Sequence, residues 1–106
     1  MHERDIEKHL VKRVKQLGGE VRKVQWVGRV GAPDRLVMLP WTAWLCTESR
    51  EQPPTIWVEL KTPGLLATFP NNAHERAQHR EHERMRAMGQ RVVVIDSIEG
   101  VEELLS

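Results

Sequence analysis

Asp34, in the stretch Gly31–Leu39 (GAPDRLVML), and Glu59 with Lys61, in Trp57–Gly64 (WVELKTPG), are the residues of this sequence best placed to do chemistry. Side chains alternate along an extended strand, so Glu59 and Lys61 point to one side and Leu60 to the other. A carboxylate and an ammonium on an otherwise apolar strand are costly to bury alone, and each needs a partner charge or a metal. Asp34 opens a second apolar run behind Gly31, which permits unusual backbone angles, and Pro33, which fixes the approach. If the two strands are neighbours, the two carboxylates converge at one sheet end. Two carboxylates, a backbone carbonyl and water suit Mg²⁺, a hard cation with oxygen ligands at roughly 2.0–2.1 Å. Such a cation orients and acidifies a water, and a lysine beside it helps stabilise charge on a phosphate in transit. Asp followed by Glu-x-Lys is therefore a minimal set for phosphodiester hydrolysis. A turn cap at Asp34 with a cross-strand ion pair at Glu59 and Lys61 is the structural alternative.

The elements that must position these residues follow from hydrophobic spacing. Ile6, Leu10, Val14 and Leu17 mark one face of a first helix, with Gly18-Gly19 as its stop. Val21 to Val27 alternates as a strand, DRLVML reads as a short buried strand bounded by Pro33 and Pro40, and TIWVELKT is a third strand ended by Pro63-Gly64. The segment from Trp41 to Pro54 carries no assignable pattern beyond a polar turn in TESREQPP. A second helix is predicted over Ala73 to Met88, with Ala77, Arg80 or Glu81, Arg84 or Met85 and Met88 in register and Gly89 at its end. RVVVID suits a central strand, and Ser97 caps a short closing helix weakened by Gly100. The order αβββαβα predicts an α/β fold: a mixed sheet flanked by helices.

A chain of 106 residues with 40% hydrophobic and 29% charged residues fits one domain, 1–106, with a single modest core. No apolar run approaches the roughly 20 residues of a membrane helix. The charged start, MHERDIEKHLVKRVK, lacks the apolar centre of a signal peptide, and the lone Cys46 permits no internal disulfide. The expected compartment is the cytoplasm. The net charge of +1 says little, but Lys8, Lys12, Arg13, Lys15, Arg22, Lys23 and Arg29 make the first third basic, and Arg76, Arg80, Arg84, Arg86 and Arg91 recur later. Such side chains neutralise phosphates, although solvated helix faces are the commoner origin of charge runs.

GRVGAPDRLVML, WVELKTPG and AQHREHERMRAMGQRVVVIDS together resemble the PD-(D/E)XK nuclease superfamily and, within it, the VRR-NUC (virus-type replication-repair nuclease) domain. The resemblance runs from about Glu7 to Ser97. It implies a restriction-endonuclease-like sheet and a Mg²⁺- or Mn²⁺-dependent endonuclease that leaves 5′-phosphate and 3′-hydroxyl ends. Asp34 and Glu59 would be metal ligands, Leu60 would offer its backbone carbonyl, and Lys61 would be the catalytic lysine. Glu7 would help hold the metal or its water, and Gln78 would position the nucleophile or phosphate. Stand-alone members are similar to Holliday-junction-resolving enzymes, so the resemblance implies branched DNA (a four-way junction or flap) as partner, a homodimer, a role in DNA repair, and a bacterial or phage-encoded protein in the host cytoplasm. A non-catalytic nucleic-acid-binding module that keeps the fold is the alternative function. The segment 40–54 is longer than a hairpin turn, and HREHER replaces the more apolar helix usual after the glutamine.

His74, His79 and His82 invite a zinc reading, but a structural zinc site needs four ligands, usually with thiolates, and one cysteine is present. These histidines are instead expected, with Arg76, Arg80, Arg84 and Arg86, on a solvated or phosphate-facing surface. Trp41 and Trp44 lie in the unassigned segment. Core packing or a hairpin clasp is the ordinary role; the sharper one is an exposed apolar patch that makes a dimer interface or a wedge against unstacked bases, of which the dimer is favoured.

Overall fold

The computed structural model describes residues 1–106. Its elements run α1 (Glu3–Gln16), β1 (Glu20–Lys23), β2 (Arg35–Met38), α2 (Trp41–Trp44), β3 (Thr55–Leu60), a single 3₁₀ turn (Leu66–Thr68), α3 (Ala73–Ala87), β4 (Arg91–Ile95) and α4 (Ile98–Leu105). The strands form one sheet in the order β1-β2-β3-β4, antiparallel from β1 through β3, with β4 parallel to β3. The parallel pair requires a crossover, and α3 provides it. The order expected from sequence holds, with the one-turn α2 added.

One face of the sheet carries the apolar core. Ile56, Val58 and Leu60 of β3, with Val37, Leu39 and Ile95, pack against Ile6, Leu10 and Val14 of α1 and against Val101, Leu104 and Leu105 of α4. Each such side chain contributes about 1.5–3 kcal/mol on burial, so this layer supplies most of the stability. The opposite face, under α3, is free to be polar.

That polarity departs from the expected pattern of α3. Its buried residues are Glu75, Gln78, Glu81, His82 and Met85, while Arg80, Arg84 and Met88 are exposed. Of the expected register, Glu81 and Met85 do face inward, while their alternatives Arg80 and Arg84, and Met88, face out; Glu75, Gln78 and His82 join the inward face because the layer beneath α3 is built from polar and charged groups. His82, expected at a solvated surface, is fully buried.

Two other expectations are corrected. β1 ends at Lys23, not Val27, because Trp26 leaves the strand to pack on Trp57, with ring centroids 5.0 Å apart, and its Nε1 donates to the Pro33 carbonyl at 2.7 Å. The segment after Pro40 forms α2 and a run of turns tied to the chain end by Glu48 N–H donating to the Ser106 carbonyl at 3.0 Å. Within it Trp44 packs against the core, and Trp41 stays exposed. The closing helix starts as expected: Ser97 Oγ accepts from Gly100 N–H at 2.9 Å.

Candidate active site

Antiparallel pairing sets Arg35 opposite Val58, so Asp34, just before β2, and Glu59, just past Val58 on β3, lie at the same end of the two strands. On its other side Asp34 is tied to the chain leaving β1, since its carbonyl accepts from Val24 N–H at 2.9 Å. The condition set by the sequence, that the two strands be neighbours with both acids at one end, is met. Gly31, with φ of +86°, makes the approach possible: a Cβ there would lie 2.9 Å from the Ala77 carbonyl oxygen of α3. The chain entering β2 therefore rests on the helix that carries Gln78.

Alternation along β3 places Glu59 and Lys61 on the α3 side, away from Leu60 in the core. Lys61 continues the pairing with β4 through its N–H, which donates to the Ile95 carbonyl at 2.9 Å. Its Nζ donates to Gln78 Oε1 at 2.5 Å, lies 3.4 Å from Glu75 Oε2, and stands 5.0 Å from the Phe69 ring centroid. A buried ammonium is thus met by a carboxylate, an amide oxygen and an aromatic face, which together offset its desolvation. Glu75 is itself fixed, because its Oε1 accepts from Asn71 N–H at 2.8 Å and its own N–H donates to the N-cap Asn72 at 2.9 Å.

Glu59 is held from α3 as well. His82 Nε2 lies 3.3 Å from Glu59 Oε1, and the imidazole stacks on Phe69 with centroids 6.0 Å apart. A carboxylate only accepts, so the ring donates from Nε2, and its buried Nδ1 has no partner. The loop beyond Lys61 is tied to the end of β4 by Asp96 Oδ2, which accepts from Gly64 N–H at 3.1 Å and Leu66 N–H at 3.0 Å.

On the α1 side, Arg35 stands between two acids. Its Nη2 donates to Glu7 Oε2 at 2.7 Å, and its Nη1 lies 2.8 Å from Asp34 Oδ1. Burial works to lower the arginine's pKa, but the ion pairs with Glu7 and Asp34 together outweigh it and hold the guanidinium above its ordinary value. Glu7 is therefore linked to Asp34 through Arg35.

The chain nowhere assembles three or more His, Cys, Asp or Glu side chains as a ready metal-binding group. The donors at the sheet end are two carboxylates. Glu59 directs Oε1 at His82 and Asp34 directs Oδ1 at Arg35, which leaves one oxygen of each for another ligand. An all-oxygen pair of this kind, completed by a backbone carbonyl and water, fits Mg²⁺ or Mn²⁺ and not a thiolate- or imidazole-seeking ion.

Sequence reasoning singled out Asp34, Glu59, Lys61, Gln78 and Glu7, of which the structure brings the first four to one sheet end and joins Glu7 to Asp34 through Arg35. It missed Arg35, Glu75, His82 and Phe69. Two of these had legible signals: Asn72 with Glu75 three residues on is a helix-start pattern, and His82 lies four residues after Gln78 on the same helical face.

No family model matches the chain. It is 40% identical over 97 residues to the protein named "Putative nuclease p44" of Acyrthosiphon pisum secondary endosymbiont phage 1, covering 92% of this chain and 85% of that protein. It also superposes on a solved VRR_NUC domain with a TM-score of 0.68 and 34% identity, over 97% of this chain and 92% of that one. With the mixed sheet and the acid pair at its end, these likenesses place the chain in the VRR-NUC family of nucleases.

Proposed function

We propose that this nuclease is a divalent-metal-dependent DNA endonuclease, selective for branched DNA and working as a homodimer of single-domain chains in the host cytoplasm. The observation that carries the reading is the β2–β3 register, which brings Asp34 and Glu59 to one end of the neighbouring strands, with Lys61 two residues further along the face of Glu59. Asp34, Glu59 and the Leu60 carbonyl would hold Mg²⁺ or Mn²⁺, which when bound supplies a more acidic water and charge stabilisation at the phosphate. Lys61 would present its ammonium to the phosphoryl oxygens as charge grows on them, with Gln78 and Glu75 fixing its direction. In the reaction a water oxygen bonds to phosphorus as the bond to the 3′ oxygen breaks, leaving a 5′-phosphate and a 3′-hydroxyl. Glu7 would act on Asp34 through Arg35.

The homodimer is supported by Trp41, 66% exposed on α2 beside the exposed Leu45. A twofold pair would offer two sites to the two opposed strands of a junction.

The test is cleavage of end-labelled four-way junction, flap and duplex DNA with Mg²⁺ or Mn²⁺, comparing the wild type with Asp34→Ala and Lys61→Ala. Metal-dependent cutting of branched substrates, lost in both variants, is the expected result. A folded wild type that cuts none of the three with either metal would leave the binding-module alternative. Light scattering of the Trp41→Ala variant tests the dimer.

A further inference from the structure

The connection between β1 and β2 carries two valines that nothing in the fold covers: Val27 is 94% exposed and Val30 74%. Between them lie Gly28, with φ of +76°, and Arg29. Behind this tip is a concavity of about 280 Å³ whose walls are Gly28, Arg29 and Val30 on one side and Ala77, Arg80, Glu81 and Arg84 of α3 on the other. Glu81 is the only acid there. It is shared, with Arg29 Nη1 at 3.6 Å and Arg84 Nη1 at 3.3 Å, so three arginines converge with one carboxylate holding two of them apart. Arg86, near the same helix end, is occupied elsewhere. It donates to the Val92 carbonyl from Nε and Nη2 at 3.2 and 2.8 Å and so fastens α3 to β4.

The cluster is joined to the acid pair through the chain. Arg80 is two residues past Gln78, and Arg29 is two residues before Gly31, which rests on Ala77. We infer that the Val27–Val30 tip and the outer face of α3 form a clamp on the substrate duplex, in which Arg29, Arg80 and Arg84 take successive phosphates and the two valines press against a locally unstacked step. Planar guanidinium groups suit bidentate phosphate contact. Exposed apolar residues beside them are what minor-groove and junction wedges use, and an unstacked step is where a branched duplex differs from a plain one.

The inference rests on the nuclease reading, and its test keeps the two apart. Binding of a fluorescent four-way junction is followed by anisotropy in EDTA, where no strand is cut, across a salt series. Each of Arg29→Ala, Arg80→Ala and Arg84→Ala is expected to weaken binding severalfold and to flatten the slope of log affinity against log salt by about one. Val27→Ser combined with Val30→Ser is expected to weaken junction binding severalfold with the slope unchanged, since no ion is released. Lys12→Ala, an equal change of charge on α1 across the sheet, should leave both unaltered. Wild-type slopes in the folded arginine variants, or wild-type affinity in the valine variant, overturn the clamp and leave the nuclease reading standing. A wild type that binds no nucleic acid overturns both.

Discussion

His82 Nε2 lies 3.3 Å from Glu59 Oε1, and the imidazole is wholly enclosed between β3, α3 and Phe69. A histidine so placed fixes which oxygen of Glu59 turns outward. Groups that orient a metal ligand in this way typically change metal affinity by about 10–100-fold when removed. His82→Phe keeps the stacking surface on Phe69 and removes the donor, so it should weaken Mn²⁺ binding by that order. His82→Gln, which can still donate to Oε1, should recover part of it. The measurement is calorimetric titration with Mn²⁺, alongside the thermal midpoint without metal. Equal Mn²⁺ affinity in wild type and His82→Phe would show that Glu59 is oriented without help.

Lys61 is gripped by Gln78 and Glu75, and the two contacts differ in kind. Gln78 supplies an amide oxygen at 2.5 Å, Glu75 a buried carboxylate at 3.4 Å. Removing one member of a buried ion pair is strongly destabilising, about 3–5 kcal/mol, because the other is left uncompensated. Glu75→Ala should therefore appear mainly as a lower unfolding free energy. Gln78→Ala leaves the charge pair intact and should appear mainly as slower cleavage, by about 100-fold, the cost of a misplaced charged group. Urea unfolding and single-turnover cleavage of both variants separate the two effects, and identical profiles would mean that the lysine needs both partners for folding alone.

The polar layer also explains what was and was not legible in the sequence. α1 and the β3 core positions were readable because Ile6, Leu10 and Val14, and likewise Ile56, Val58 and Leu60, follow the helical and strand periods on the apolar side. The α3 face was readable only in part, at Glu81 and Met85, because Glu75, Gln78 and His82 are buried for the partners they meet and not for hydrophobicity. Asp34, Glu59 and Lys61 were found from spacing and residue type. Arg35 was missed because an arginine next to an aspartate reads as surface, and its link to Glu7 joins residues 28 positions apart. The turns after Pro40 have no period to read: they are held by single bonds such as Trp44 Nε1 to the Gln52 carbonyl at 2.5 Å.

Gly31 combines a left-handed backbone with close contact to α3. A methyl group there would meet the Ala77 carbonyl oxygen at 2.9 Å and the Gln78 Cα at 3.0 Å. Backbone has no side-chain freedom with which to yield. Gly31→Ala should cost about 2–4 kcal/mol, the sum of φ strain and a displaced loop. Because the same loop delivers Asp34, cleavage should fall with stability. By contrast Gly28→Ala, in open space, should cost only the φ strain. Chemical denaturation of the two variants makes the comparison, and equal losses would show that the α3 contact is not what Gly31 serves.

Glu102 ties α4 to α1: its Oε1 accepts from Arg13 Nε at 2.9 Å and meets His9 Nε2 at 2.7 Å. The bond from Arg13, and then that from His9, holds its carboxyl below the ordinary glutamate value of 4.5. A carboxylate whose folded pKa is depressed adds stability above its unfolded pKa, and that stability disappears as pH falls through the folded value. The contribution should thus be complete above about pH 5 and absent in strong acid, and it should weaken with salt because the pair is exposed. Glu102→Gln should lower the thermal midpoint slightly at pH 7 and match the wild type at the acid end, so that its midpoint falls less steeply as the pH drops below about 5. Parallel wild-type and variant curves across that range would remove the Arg13 and His9 pairs from the acid response of the fold.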